Sequence, residues 1–327
     1  MGAAVPKRQP GGFAGRASME VTRTQAWILA TRPRTLSAAA APVVAGSGFA
    51  AADGVFAQLP ALAALLGALF IQIATNLAND YYDFLKGGDT GDRLGPVRVT
   101  QAGILAPAAV FRGMAITLGL ATLVGVYLAW VAGWPVIAIG LVSMLMGVCY
   151  TGGPYPLSYH GLGDVFVFVF FGPVATATTY YVQAQTWSAG AIVAGVGLGA
   201  FSTAMLVVNN LRDRETDGAA GKRTLAVRFG DRFSVVQYFG SLAVATVAPV
   251  IGTAWMGWSA WTLLSLAGWL PCMPAGSRIM VVLRAPGTVD RRTLNPALGM
   301  TARGVALYGA GLGVGALIGA MSPFGGP

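Results

Sequence analysis

The chain alternates long apolar runs with short polar breaks. Runs long enough to cross a bilayer as helices, at roughly 20 residues each, fall at 35–52, 59–82, 107–131, 134–150, 163–183, 189–211, 233–254, 258–283 and 301–321. They predict an all-α, polytopic membrane protein of nine transmembrane helices over residues 25–322. Residues 1–24, rich in Gly, Pro and Arg, are expected as a disordered cytoplasmic tail. The tail does not read as a secretory leader, because the first apolar run starts too far in. Pro33 suits the first turn of the first span. Pro271 and Pro274 predict a kink or break in the eighth.

Composition agrees with this pattern. Of 327 residues, 55% are hydrophobic and only 10% charged, against about 25% charged in a soluble domain; the mean hydropathy is +0.65. The two cysteines, Cys149 and Cys272, both lie in apolar runs and form neither a disulfide framework nor a metal spacing. All 21 Lys and Arg fall before the first span, in or beside the loop after the second, after the sixth, or from the end of the eighth to the start of the ninth. The loops near 53–58, 132, 185 and 256 and the C-terminus have none. The positive-inside rule then places the N-terminus and the basic loops in the cytoplasm and the C-terminus outside the cell membrane. The same asymmetry accounts for most of the +9 net charge, so no nucleic-acid partner is implied.

Two spans end in acid. Asn76, Asp80 and Asp83 share one helical face at the end of the second, and Gly87-Gly88 then breaks the helix so that Asp89 sits on a loop. Asn209, Asp213 and Asp217 share a face at the end of the sixth. The four-residue spacing of Asn79 and Asp83 repeats in Asn209 and Asp213. Carboxylates at the mouth of a membrane span are costly and ask for a function. Two matched clusters on one membrane side argue against plain solvated helix ends. An ion transporter would also use intramembrane acids, but these stand at span ends among abundant cations, which disfavours that class. Gly221-Lys222 is no nucleotide P-loop, because the GxxxxGK spacing is absent.

Paired hard-oxygen ligands suit Mg²⁺, which takes one or two carboxylates plus phosphate oxygens. Two facing sites would hold a diphosphate, and neighbouring Lys and Arg would complement its charge. Such a site stabilises diphosphate as a leaving group. An allylic cation left behind would need an apolar, water-free cavity and an electron-rich aromatic acceptor. The loop 150–164 adds three tyrosines, the only histidine and Asp164 on the same side. Arg32 and Arg34 open the first span, where they either anchor at headgroups or turn inward to an anion.

At this point a resemblance enters. NLANDYYDF, GGDT, RLGPVRVTQ, YTGGPYPLSYHGLGD and NNLRDRETDGAAGKRTLAVRFG resemble the UbiA superfamily of intramembrane aromatic prenyltransferases, and within it the branch that prenylates 1,4-dihydroxy-2-naphthoate. The resemblance runs from about Trp27 to the ninth span. It implies nine helices around a central cavity and Mg²⁺ held by Asp80, Asp83, Asp89, Asp213 and Asp217. Asp89 stands in for the family's last acid of the first motif, which falls on Gly87. Asn76, Asn79, Arg98, Asn209, Lys222 and Arg223 are implied as diphosphate ligands. Arg32, Arg34, Tyr155, Tyr159 and Asp164 are the candidates for handling the acceptor. The implied reaction joins polyprenyl diphosphate and 1,4-dihydroxy-2-naphthoate, releasing diphosphate and CO₂ and giving demethylmenaquinone; the alternative is a related acceptor. The 4-hydroxybenzoate branch tends to carry a basic pair after the fourth span, where this chain has Gly152-Gly153 and His160.

Overall fold

The computed structural model describes residues 21–87, 94–285 and 287–322. Asp89 and most of the expected tail therefore lie outside the described residues. The tail's last four residues do not, and its last two are helical: a capping box between Thr22 and Gln25 starts a short helix, α1 (Arg23–Thr31). Pro33 disfavours helical geometry at the residue before it. Arg32 accordingly adopts a left-handed φ of 50°, and Pro33 opens α2 (Pro33–Ala52) as its first residue.

Two further helices and a short one follow: α3 (Gln58–Leu85), α4 (Pro107–Ala132) and α5 (Trp134–Cys149). The 28 residues of α3 extend about 42 Å, well beyond a hydrocarbon core of about 30 Å. Its last turns therefore carry Asn79–Asp83 out to the polar boundary. The 16 residues of α5 reach only about 24 Å. Among the described residues eight segments are long and apolar enough to span, and α5 is the shorter ninth.

The fifth span is bent. α6 (Gly163–Val169) passes through a π turn at Phe170–Val174 into α7 (Ala175–Ala184), with non-helical φ/ψ at Gly172 beside Pro173. A side chain at Gly172 would meet the Gly195 carbonyl and Gly199 of α8 (Ala189–Arg212), so bend and close packing arise together. After α9 (Arg214–Ala219), α10 (Leu225–Trp255) starts eight residues before the predicted seventh span and is broken at Gly230, φ 80°. The eighth span is irregular before its prolines: Ala260–Gly268 is 3₁₀, and α11 (Trp269–Arg284) takes Pro271 in its first turn, where no N–H is missed. A 3₁₀ turn, Arg291–Leu294, leads into α12 (Asn295–Met321).

The helices close a ring. α12 packs on α2, α2 on α3, α3 on α4, α6 on α8, α8 on α10 and α11 on α12. The largest core joins α2, α8, α10, α11 and α12 through small residues such as Ala45, Ala194, Ala245 and Ala275. A second cluster seats α1, α3 and α4 around Val99 and Leu105 of the intervening segment. The α2–α12 crossing is backbone against backbone: a Cβ on Gly48 would strike the backbone of Gly313, and one on Gly313 would lie 2.6 Å from the Val44 carbonyl.

That crossing predicts a contrast measurable by thermal unfolding in detergent. Gly48→Ala should cost about 1–3 kcal/mol through overpacking. Gly119→Ala, in α4 where nothing lies within 4 Å, should be neutral or stabilising by about 0.4–1 kcal/mol.

Candidate active site

Inside the ring lies a cavity of about 590 Å³, polar at one end and apolar along the rest. The apolar walls come from α2, α4, α5 and α7, with Val43, Val124, Leu141 and Val182 among them. Gly125 and Gly140 line it where a Cβ would meet nothing within 4 Å, so the α4–α5 side is roomy.

The polar end begins on α3. Gln72, Asn76, Asn79 and Asp83 form one stripe lining the cavity. Asn76 donates to the Thr31 carbonyl at 2.9 Å and to Thr35 Oγ1 at 3.0 Å, fixing α3 against the hinge that holds Arg32. Asn79 accepts from Thr151 at 2.8 Å. Asp83 is buried and takes three donors: Arg98 at 2.9 Å and Lys222 at 3.1 Å on Oδ2, and the Tyr159 hydroxyl at 3.0 Å on Oδ1.

Asp80 is corrected by this geometry. On a helix it lies about 40° past Asn76, on the side away from Asn79 and Asp83, and it does not line the cavity. Its two oxygens accept the N–H groups of Val99 and Thr100, both at 3.2 Å. It is thus an anchor for the segment after α3, which places Arg98 on Asp83, and not a metal ligand in this arrangement.

The second cluster turns about a residue that sequence reading counted only as loop charge. Arg212, the last residue of α8, is fully buried. Its Nε and Nη2 fork onto the Asp213 carboxylate at 2.8 and 2.5 Å, Nη2 also reaches Asn209 Oδ1 at 2.7 Å, and Nη1 reaches Asn295 Oδ1 at 3.1 Å. Asn295 donates in turn to the Leu94 carbonyl at 2.9 Å, and Gly95 lies so close that a Cβ there would be 2.6 Å from Nη2. Arg291 backs the same turn, donating to the Leu211 carbonyl at 2.7 Å and to Glu215 and Asp231. The helix changes direction at Asp213, yet Asp213 N–H still bonds to Asn209 and Asp217 N–H to Asp213. Asn209, Asp213 and Asp217 therefore all line the cavity, with Lys222 Nζ 3.8 Å from Asp217. The sequence signal for Arg212 was its position inside the last apolar turn, three residues after Asn209.

The remaining candidates divide. Arg32 lines the cavity, whereas Arg34 is exposed and does not. Tyr155 is exposed and stacks on His160, ring centroids 3.6 Å apart. Asp164 is buried against Gln237, which donates to it at 2.8 Å, and lies off the cavity. Tyr150 and Ser158 line it instead. Arg223 is corrected here: it does not line the cavity and is not placed to hold a diphosphate there, because it faces the far side of the loop while its neighbour Lys222 points in. Lys86 Nζ bonds to the Thr151 carbonyl at 2.5 Å; burial lowers its pKa against the opposing pull of Asp83, and Lys222 lowers it further. Among the described residues no three His, Cys, Asp or Glu side chains form a ready-made metal cage. Carboxylates on two sides of one cavity end, with cations between them, instead suit a metal shared with an anionic ligand.

Known proteins match this arrangement. The model of the UbiA prenyltransferase family covers residues 39–300. The 1,4-dihydroxy-2-naphthoate octaprenyltransferase of Mycobacterium tuberculosis is 41% identical over 267 residues, 80% of this chain and 91% of that one. The protein of the same name from Escherichia coli is 35% identical over 88% of this chain and 94% of its own length. In fold, the chain is similar to a UbiA homologue from Archaeoglobus fulgidus solved with GPP and Mg²⁺, at TM-score 0.59 and 13% identity, covering 90% of this chain and 99% of that one. A multi-pass helical chain, closed around one cavity with acid clusters at the ends of α3 and α8 and matched over most of its length, belongs to the UbiA prenyltransferase family.

Proposed function

We propose that the chain transfers a polyprenyl group from polyprenyl diphosphate to 1,4-dihydroxy-2-naphthoate, releasing diphosphate and CO₂. The observation that carries this reading is the 41% and 35% identity to enzymes named for that acceptor, over nearly their whole lengths. The cavity fits it, with an acid-and-cation end for the diphosphate and a long apolar remainder for the prenyl chain.

Asp83, Asp213 and Asp217, with Asn79 and Asn209 beside them, are the ligands proposed for divalent metal, and Mg²⁺ is the ion their hard oxygens favour. When bound, the metal neutralises charge on the departing diphosphate. Arg98 and Lys222, now on Asp83, are the cations within reach of phosphate oxygens. The C–O bond to the allylic carbon breaks, and diphosphate leaves with the electron pair. The apolar walls keep water from the cation. The ring carbon bearing the carboxylate attacks it, forming a C–C bond. The bond to the carboxyl carbon then breaks, CO₂ leaves, and its electron pair restores the aromatic ring. No ring proton has to be removed, so the site needs no strong base there. The product is the prenylated 1,4-diol, the reduced form of demethylmenaquinone. Arg32 is the partner proposed for the acceptor carboxylate, and positioning decides which carbon reacts. The cavity's charged end faces the cytoplasm, with the C-terminus on the other side, because every Lys and Arg lies toward that end of the chain's topology.

Three outcomes follow from these assignments. Asp83→Asn and Asp213→Asn should each lower kcat about 10²-fold or more, and EDTA should abolish turnover until Mg²⁺ is restored; full activity in EDTA would sink the metal assignment. Arg32→Gln should raise KM for the naphthoate about tenfold and leave KM for polyprenyl diphosphate unchanged, as measured by product formation and ¹⁴CO₂ release. Single cysteines placed at residue 219 should label from the cytoplasmic side only, and labelling from outside would reverse the topology.

A further inference from the structure

The charged end of the large cavity is separated by one wall from a second pocket, of about 410 Å³. Three chain segments face both spaces. Asp83 lines the cavity and Lys86 the pocket; Ser158 lines the cavity and Tyr159 the pocket; Lys222 lines the cavity and Arg223 the pocket. Arg228 and His160 complete its basic lining, and none of the described residues that line it is acidic. The wall is built around the Tyr159 ring. Its hydroxyl bonds to Asp83 at 3.0 Å, and the ammonium groups of Lys86 and Lys222 lie 4.9 and 5.1 Å from its centroid. Arg228 staples the pocket's rim, donating to the carbonyls of Arg223 and His160.

We infer that this pocket is a second anion site of phosphate class, and that its occupant is inorganic diphosphate on its way out of the cavity. The inference rests on the proposed diphosphate end of the large cavity. A prenyl diphosphate is held there by both its charged head and its apolar tail. Once the C–O bond breaks, the head carries more charge and no tail, so it is drawn to the more basic space while the tail stays in the apolar one. Lys222 on the inner side of the wall and Lys86 and Arg223 on the outer side give an anion cationic partners throughout the passage. With Lys86, His160, Arg223 and Arg228 around it and no acid among its described lining residues, the pocket favours the charged head over the tail, and so sorts product from substrate.

The test uses the full chain in phosphatidylcholine nanodiscs, with the cavity filled by a non-reactive prenyl thiodiphosphate, and measures binding of ³²P-labelled inorganic diphosphate. Diphosphate should still bind with the analogue in place. Arg223→Ser should weaken it about tenfold, as the loss of one charge-assisted contact does. Affinity for the analogue and the single-turnover rate should not change. The substitution keeps the main-chain bond from Arg223 N–H to the Tyr159 carbonyl, so the loop stays built. Loss of all diphosphate binding when the analogue is present, or weakened analogue binding in Arg223→Ser, would overturn the second site. Nanodiscs containing phosphatidylglycerol form the control for source: displacement of diphosphate by that lipid at Arg223 would assign the pocket to a headgroup and overturn the product reading. No acceptor is present in the binding arm, so its outcome does not depend on which acceptor the enzyme takes. If the cavity refuses the analogue, the cavity reading falls, and the Arg223 dependence of diphosphate binding still decides this one.

Discussion

The site depends on a buried arginine and on what it costs to bury one. A guanidinium removed from water carries a penalty of several kcal/mol unless its donors are paired in good geometry. Arg212 meets that condition with Asp213, Asn209 and Asn295 together. Each partner is thereby fixed, and each belongs to a different piece of the fold: the turn from α8 to α9, the last turn of α8 and the start of α12. Through Asn295 and Gly95 the same group also holds the segment that follows α3. That segment is anchored independently by Asp80 and delivers Arg98 to Asp83. The two acid clusters, far apart in sequence, are held face to face by one connected set of hydrogen bonds and ion pairs.

The charge balance at that end explains why a metal fits there. Asp83, Asp213 and Asp217 stand against Arg98, Lys222 and Arg212, so the end is close to neutral before any ligand arrives. A diphosphate entering such a space adds uncompensated negative charge in a poorly solvated place. Divalent cations would restore the balance, and Asp83, Asp213 and Asp217 are the acids proposed to hold them. In the proposed reaction the apolar remainder of the cavity would have the complementary role of keeping solvent from a reactive carbon, with the walls of α4, α5 and α7 as the place for its tail.

Much of this was legible in the sequence, and the misses have physical causes. The apolar runs located the helices, and Pro33 marked the start of α2 because its effect is local. Helical spacing brought Asp83 and the Asn209–Asp217 series to one cavity. The same spacing misplaced Asp80, since a face of the helix has two edges and only the neighbouring chain decides which edge looks inward. Arg212 escaped because charge counting treats every cation near a span end alike. Its burial follows from contacts with Asn295 and Gly95, which are distant in sequence. Arg223 and Lys222, adjacent in sequence, face opposite sides of one wall, a distinction that periodicity within a short loop does not carry. A kink or break of the eighth span was expected at Pro271 and Pro274, but the irregular stretch lies before them: Pro271 falls in the first turn of α11, where a proline breaks nothing, and Pro274 sits inside the helix.

The two acid clusters also differ in how firmly they are held. Asp213 is gripped by its own neighbour, and that neighbour is locked by α12, by Gly95 and by the Arg291 network behind Leu211. Releasing it would leave a buried arginine unpaired, at a cost of about 3–5 kcal/mol. Asp83 is held by Lys222 and Arg98, both from connecting segments and not from helices. A lysine is a flexible point charge that exchanges one oxygen for another readily, whereas a forked arginine does not. When an anion enters the cavity, the lower-cost rearrangement is therefore at Asp83, with Lys222 turning from carboxylate to phosphate while the Arg212–Asp213 pair stays in place. The second cluster acts as the fixed wall of the site and the first as the side that adapts.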